Sequence, residues 1–363
     1  MQFSWTKITI IGYLFFSIFC DVMADENITA KNSKSWSMSG RVQIQHLYDS
    51  DLDSDASKTN NGFRMRRVRL QTKAKLNHWV SGKIQFEVRD NSPTLKDAEG
   101  KIKLFGDGYF RFGQFKVPVW REEFKRSSGK LLLVERSEAA GFLEEAMLSG
   151  RQIGVEVGGE IGDNVDFAVN YSNGSGAGNR EDRRTKNDEV NNGKMIVARL
   201  DGKVGKSVKI GVSAVSNSLG SKVGTADNTG AVSTIAPDFG LYLKDAGLDI
   251  EGGVAFGKFS KDFLQTADDV NFLVFDVTGR WHKKLEKASE SLGGVDAISL
   301  AAGFTRIDPN SDVDSDEESF FRFGPEIYFG KHTRIQVNGE IGIPSADGVD
   351  NTFKVRSQLT LNL

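Results

Sequence analysis

The sequence predicts an all-β protein: a sixteen-stranded antiparallel transmembrane β-barrel preceded by an N-terminal signal peptide. Three observations predict it. Apolar and polar residues alternate with period 2 from Trp36 to the C-terminus, the connections between alternating segments are long and short in turn, and the less apolar face of those segments is charged. The composition agrees. Hydrophobic residues make up 39% of the 363 positions, too few for a bundle of membrane helices, each of which needs about 20 apolar residues in a row. With 25 Phe the chain is too aromatic to be disordered, and its net charge of −2 points to no nucleic-acid partner.

Residues 1–24 read as the signal. Lys7 supplies a positive charge, Ile8 to Cys20 form an apolar run, and Val22-Met23-Ala24 offers a small-residue cleavage site. The run is short for a membrane anchor. Cys20 is the one cysteine of the chain, so the mature chain 25–363 forms no disulfide, no thiolate metal site and no cysteine nucleophile.

The mature chain begins with a strand pattern. Trp36, Met38, Gly40, Val42, Ile44, His46 and Tyr48 share one parity, and Ser37, Ser39, Arg41, Gln43, Gln45 and Asp49 the other. It ends the same way, with Phe353, Val355, Leu359, Leu361 and Leu363 alternating with Lys354, Arg356, Gln358, Thr360 and Asn362. Fourteen further segments lie between, at about 63–76, 80–90, 98–105, 108–116, 151–160, 165–171, 194–201, 206–216, 238–244, 248–258, 271–281, 295–306, 319–329 and 332–341. Their connections alternate. Asp49 to Gly62 is long and Asn77-His78 tight; Val117 to Gly150 is very long and Gly162 to Asn164 tight; Asn217 to Pro237 is long and Asp245 to Gly247 tight. Membrane barrels sort their loops this way, with short turns on the periplasmic side. One connection is a misfit: His282 to Gly294 is long where a short turn is due.

The continuous apolar face should meet lipid. The other face carries Arg41, Arg67, Arg69, Lys73, Lys83, Glu87, Arg111, Arg199, Asp249, Glu251, Arg280, Arg322, Arg334 and Arg356. Such a charge density predicts a water-filled lumen, because a buried unpaired charge costs several kcal/mol. Lipid tolerates no open sheet edge, so the sheet should close. Trp36, Trp79, Tyr109, Tyr171, Trp281 and Tyr328 lie near strand ends, where an aromatic girdle belongs.

Several strings add a family resemblance. Phe63-Arg-Met-Arg-Arg-Val-Arg-Leu70 is followed by a turn at Trp79, and Phe110-Arg-Phe-Gly-Gln-Phe-Lys-Val-Pro118 by Glu122-Glu123. Leu133-Val-Glu-Arg-Ser137 leads to Gly150-Arg-Gln-Ile-Gly-Val155, and Asn170-Tyr-Ser-Asn-Gly-Ser-Gly176 closes the run. In this order and spacing the chain resembles the phosphate-selective porin O and P family, best over Trp36 to Gly176. The resemblance implies a homotrimeric, anion-preferring channel whose third long loop, here about 117–150, folds into the lumen. It implies that Arg66, Arg67 and Arg69 belong to an arginine ladder, and that Arg121, Lys125, Arg126, Ser127, Ser128 and Lys130 approach the constriction. With the inward-facing Arg41, Lys73 and Arg111, these form the expected anion pathway.

Other patterns carry less. The acidic loops Asp49 to Asp55 and Asp308 to Glu318 alternate carboxylates but lack the Gly and terminal Glu of a calcium loop, and read as solvated surface that meets lipopolysaccharide-bound ions. Asn173 to Gly178 is Gly-rich without the Lys of a phosphate-binding loop. His46, His78, His282 and His332 are scattered, so no catalytic or metal site and no cofactor is expected. Leu131-Leu-Leu-Val134 is an apolar run inside the long loop, as a segment folded against the barrel wall would need. The expected function is passive diffusion of small hydrophilic solutes, anions foremost and phosphate one candidate, across the bacterial outer membrane. The rival is a structural or adhesive barrel with a plugged lumen.

Overall fold

The computed structural model describes residues 35–51, 59–89, 92–181, 192–220, 222–223, 226–227, 229–289 and 293–363. The predicted signal, residues 52–58 of the first acidic loop, and part of the connection after the Gly-rich run lie outside them. Among the described residues sixteen strands close into one antiparallel barrel. In chain order they are β1 (Ser35–Asp49), β2 (Asn61–Lys75), β3 (Val80–Arg89), β4 (Ser92–Lys103), β5 (Tyr109–Lys116), β6 (Arg151–Ile161), β7 (Val165–Ser172) and β8 (Met195–Val204). There follow β9 (Val208–Leu219), β10 (Gly230–Leu243), β11 (Leu248–Phe259), β12 (Val270–Ser289), β13 (Val295–Asp308), β14 (Glu318–Phe329), β15 (Thr333–Pro344) and β16 (Thr352–Asn362). Each pairs with its sequence neighbours, and β1 pairs with β16 through Val42–Leu361, Ile44–Leu359 and their neighbours. Leu363 completes this seam by exchanging two backbone hydrogen bonds of 2.9 Å with Gly40.

Two strand boundaries differ from expectation for identifiable reasons. β10 starts at Gly230, not near Asp238, because Pro237 does not break it. The ladder to β11 skips Ala236 and Pro237, so the proline's missing donor falls where that ladder is interrupted. β12 runs on to Ser289, which pairs with Val295; the expected misfit after His282 is therefore strand, and the short turn is restored.

The interior corrects a second expectation, because only part of it is charged. Met195, Val197, Val215, Val232, Ala236, Ala255, Phe259, Phe272 and Val274 point inward from β8 to β12 and pack against Val117, Val119, Trp120, Ala139, Ala140, Leu143 and Leu148 of the long connection. Charge on one face thus marked only part of the lumen, and the apolar part is the patch against which these loop residues pack. Two of the expected girdle aromatics are also inside. Tyr109 donates to Glu156 at 2.9 Å and Tyr328 donates to Glu326, whereas Trp36, Tyr171 and Trp281 are exposed on the outer face.

The connection from Val117 to Gly150 contains helices α1 (Arg121–Lys125) and α2 (Glu138–Glu145). Ser137 caps α2, its hydroxyl accepting from the Ala140 N–H at 3.3 Å. Glu122 of α1 accepts from both the Ser137 N–H at 3.0 Å and its hydroxyl at 2.6 Å, which ties the two helices together.

Candidate channel constriction

The site begins with a bulge in β2. Gln43 of β1 faces Arg67, but the next residue, Ile44, faces Met65, so Arg66 is the extra residue. A bulge of this kind shifts the side-chain phase by one. Arg64 and Arg66 therefore turn inward before it, and Arg67 and Arg69 after it. Arg64 donates to Gln45 at 2.8 Å. Arg66 donates to both oxygens of Glu135 at 2.5 and 2.9 Å, and Arg67 donates to Glu135 at 2.8 Å and Gln43 at 3.1 Å. Arg69 pairs with Glu87 at 2.7 Å. Arg64, Gln45 and Glu135 are missing from the expected pathway, yet the signal for Arg64 is in the sequence. The apolar residues Phe63 and Met65 are out of phase with Val68 and Leu70.

The loop meets this wall at Ser128. Its hydroxyl accepts from Arg41 at 3.0 Å and Arg69 at 2.8 Å, and its carbonyl accepts from Gln43 at 3.2 Å. A side chain at Gly129 would run into the Arg41 guanidinium, so the glycine lets Arg41 lie against the loop backbone. On the opposite wall Arg121 donates to Asp201 and Asp238, each at 2.9 Å, and Arg199 binds the same two carboxylates. In this group two buried cations face two anions. Arg126 reaches Glu251 at 2.6 Å and Lys125 reaches Asp201 at 3.2 Å. From β15, Asn338 accepts the Val134 N–H at 2.5 Å and Arg334 donates to the Leu131 carbonyl at 3.2 Å. Leu131 to Val134 are at most 3% exposed.

Of the ten cations expected to line an anion pathway, seven have a carboxylate partner: Arg66, Arg67, Arg69, Arg111, Arg121, Lys125 and Arg126. Arg41, Lys73 and Lys130 have none within salt-bridge distance among the described residues. Four clefts of about 330 to 410 Å³ surround the loop tip, Phe124 to Lys130, on the side of the short turns. One of about 390 Å³ joins Arg41, Arg69, Lys73, Ser128 and Lys130; Arg111 lines a different one. Arg66 and Arg67 lie above these clefts, toward the long loops, and line none of them.

The pKa values of two loop carboxylates are shifted in opposite directions. Burial alone would push Glu135 up, but the Arg67 and Arg66 guanidiniums hold it well below the usual carboxylate range. Burial and the nearby Asp276 push Glu122 up, against the pull of Arg322.

A closed sixteen-stranded barrel, with a charged interior narrowed by a loop from its own chain, is the architecture of an outer-membrane porin. Residues 38–187 match the family model of phosphate-selective porin O and P, the family the sequence resembles. No curated protein matches the chain. Among solved structures, the fold is similar to an anion-selective porin from Comamonas acidovorans, with a TM-score of 0.65 and 12% identity, covering 91% of this chain and all of that one. It is similar to the trimer form of OmpT from Vibrio cholerae, at TM-score 0.62 and 11% identity over 91% of this chain and 99% of that one. The Salmonella typhi OmpF complex with daunomycin gives 0.63 and 11%, over 92% and 98%.

Proposed function

We propose that this porin is a passive diffusion channel that prefers small anions, with phosphate among the candidates, and that it works as a homotrimer exported through a cleaved signal peptide. The observation that carries the preference is the group Arg41, Lys73 and Lys130, three cations in one cleft at the loop tip with no carboxylate partner among the described residues. Most other lumenal cations are matched by acids, so the field in this cleft is set by those that are not. The route favoured by exposure lies between the loop and β1–β4. There Arg66, Lys83 and Lys96 keep 20 to 28% of their side-chain surface, against 5% or less for Arg199 of β8, Arg322 of β14 and Arg334 of β15; Arg67 of β2, bonded to the loop, keeps 5%. Reversal potential in a salt gradient, repeated with added phosphate, tests the reading; a potential of cation sign would overturn it.

A specific observation favours a second reading, a plugged structural barrel. The loop is anchored to β1, β2, β8, β11 and β15 and packs a dry core against β8 to β12. Stable ohmic current steps from purified protein separate a channel from a plug.

A further inference from the structure

The cleft on the far side of the loop tip from β2 has a different chemistry. It has a volume of about 410 Å³, within the range of about 300–1,000 Å³ of small-molecule sites, and is bounded by the loop tip, β11, β12, β14, β15 and two short turns. Six basic residues line it, Arg126, Lys130, Lys244, Arg280, Lys331 and Arg334, against the single carboxylate of Asp249. Arg126 and Arg280 share that carboxylate. Lys130, Lys244 and Lys331 have no carboxylate within salt-bridge distance among the described residues.

Arg334 is the informative member. It is 5% exposed, and among the described residues its Nε and Nη2 have no hydrogen-bond partner, nor has Nε of Arg280. Its nearest carboxylate, Glu326 at 3.6 Å, is already engaged by Tyr328 and by Gln336 at 2.5 Å. Buried guanidinium donors without acceptors are costly, and an incoming anion would supply the missing oxygens. The same cleft has an apolar corner. Tyr328 and His282 meet there edge to face, with centroids 5.1 Å apart at 89°. A fully hydrated inorganic ion gains nothing from such a corner, whereas a planar ring does.

We propose that this cleft binds an organic carboxylate carrying a planar ring: the carboxylate on Arg334, Lys130 and Lys331, the ring against Tyr328 and His282. This deepens the anion-channel reading and rests on it.

The test uses the purified full-length barrel in detergent, with sodium benzoate and sodium acetate as probes and binding read by titration calorimetry. Benzoate is expected to bind about tenfold more tightly than acetate, because ring stacking and ring burial are together worth about one such factor. Lys331→Gln, a change at an exposed turn, should weaken benzoate several-fold, and Arg334→Gln should weaken it about tenfold. Tyr328→Leu should bring benzoate close to acetate. Equal binding of the two probes, or benzoate binding untouched by Lys331→Gln, overturns the proposal even if Arg334→Gln fails to fold. Reversal potential on the same preparation is read separately. An anion-selective barrel that does not prefer benzoate sinks this inference alone, and a cation-selective one sinks the channel reading beneath it.

Discussion

Arg66 and Arg67 are adjacent along one strand, yet both donate to the same carboxylate, Glu135 of the loop. Consecutive strand residues normally face opposite ways, so this convergence exists only because β2 bulges there. It places Glu135 between two guanidiniums.

Glu135→Gln should therefore destabilise the loop and raise anion preference together. Removing one partner of a buried ion pair costs about 3–5 kcal/mol, because the remaining charge is left unpaired. The temperature at which the folded band disappears on heated gels should fall, and the reversal potential should move further to the anion side. An unchanged gel transition would show that Glu135 does not hold the loop.

Acid should not release the loop in the usual carboxylate range. The folded pKa of Glu135 lies below its unfolded value, so its stabilisation is complete above about pH 4.3, the unfolded value, and is lost only as pH falls through the depressed folded one. Glu122 acts the other way. Its folded pKa is raised, so falling pH through that raised value adds stability. Single-channel conductance recorded between pH 7 and about pH 4.5 should show no step to a wider state.

Charge reversal on β2 should act on assembly before selectivity. A wet lumen would let Arg67 and Arg69 both become Glu without harm to folding. The structure differs: Arg67 is 4% exposed and bonded to Glu135 and Gln43. Arg67→Glu would bury two carboxylates together at a cost of several kcal/mol. Assembled protein should drop sharply for Arg67→Glu and survive for Arg69→Gln, and the latter should weaken anion preference.

Gly129→Ala should displace Arg41 and break its 3.0 Å bond to Ser128. Because the clashing group is the end of a flexible side chain, the stability loss should be about 1 kcal/mol, one hydrogen bond. A changed conductance with a nearly normal gel transition is the expected pair of results.

An epitope at Asp312 should be detected on intact cells and one at Asp245 should not, since they lie in a long and a short connection at opposite ends of the barrel. Surface labelling at Asp245 would invert the barrel.

The barrel was legible in the sequence because period 2 alternation and sorted loop lengths are local signals. Pro237 hid the start of β10, since nothing local says that its missing donor meets a gap in the neighbouring ladder. The inner surface was legible only in part. Met195, Val197 and Val215 look lipid-facing by composition, and only the packing of the loop explains apolar residues on the lumenal parity. Tyr109 and Tyr328 misled in the same way, being near strand ends but bonded inward to Glu156 and Glu326. The inward direction of Arg67 and Arg69 was readable from strand parity, and that of Arg64 was missed because the bulge shifts the phase. The pairing of the cations with acids was not readable, because Arg121 finds Asp201 and Asp238 only across the closed barrel.

The position of the loop also constrains the order of assembly. Ser128 at its tip bonds to Arg41 of β1, and Leu131 and Val134 just after the tip bond to Arg334 and Asn338 of β15; β1 and β15 flank β16 at the closing seam. An apolar segment such as Leu131 to Val134 cannot be threaded into a finished barrel without stripping both surfaces of water a second time. That cost favours an order in which the chain collapses around the loop first and zips β1 to β16 last. The loop that narrows the finished pore is then also the mandrel on which the cylinder is wound, and a defect at its tip would surface as a failure of biogenesis before any current could be measured.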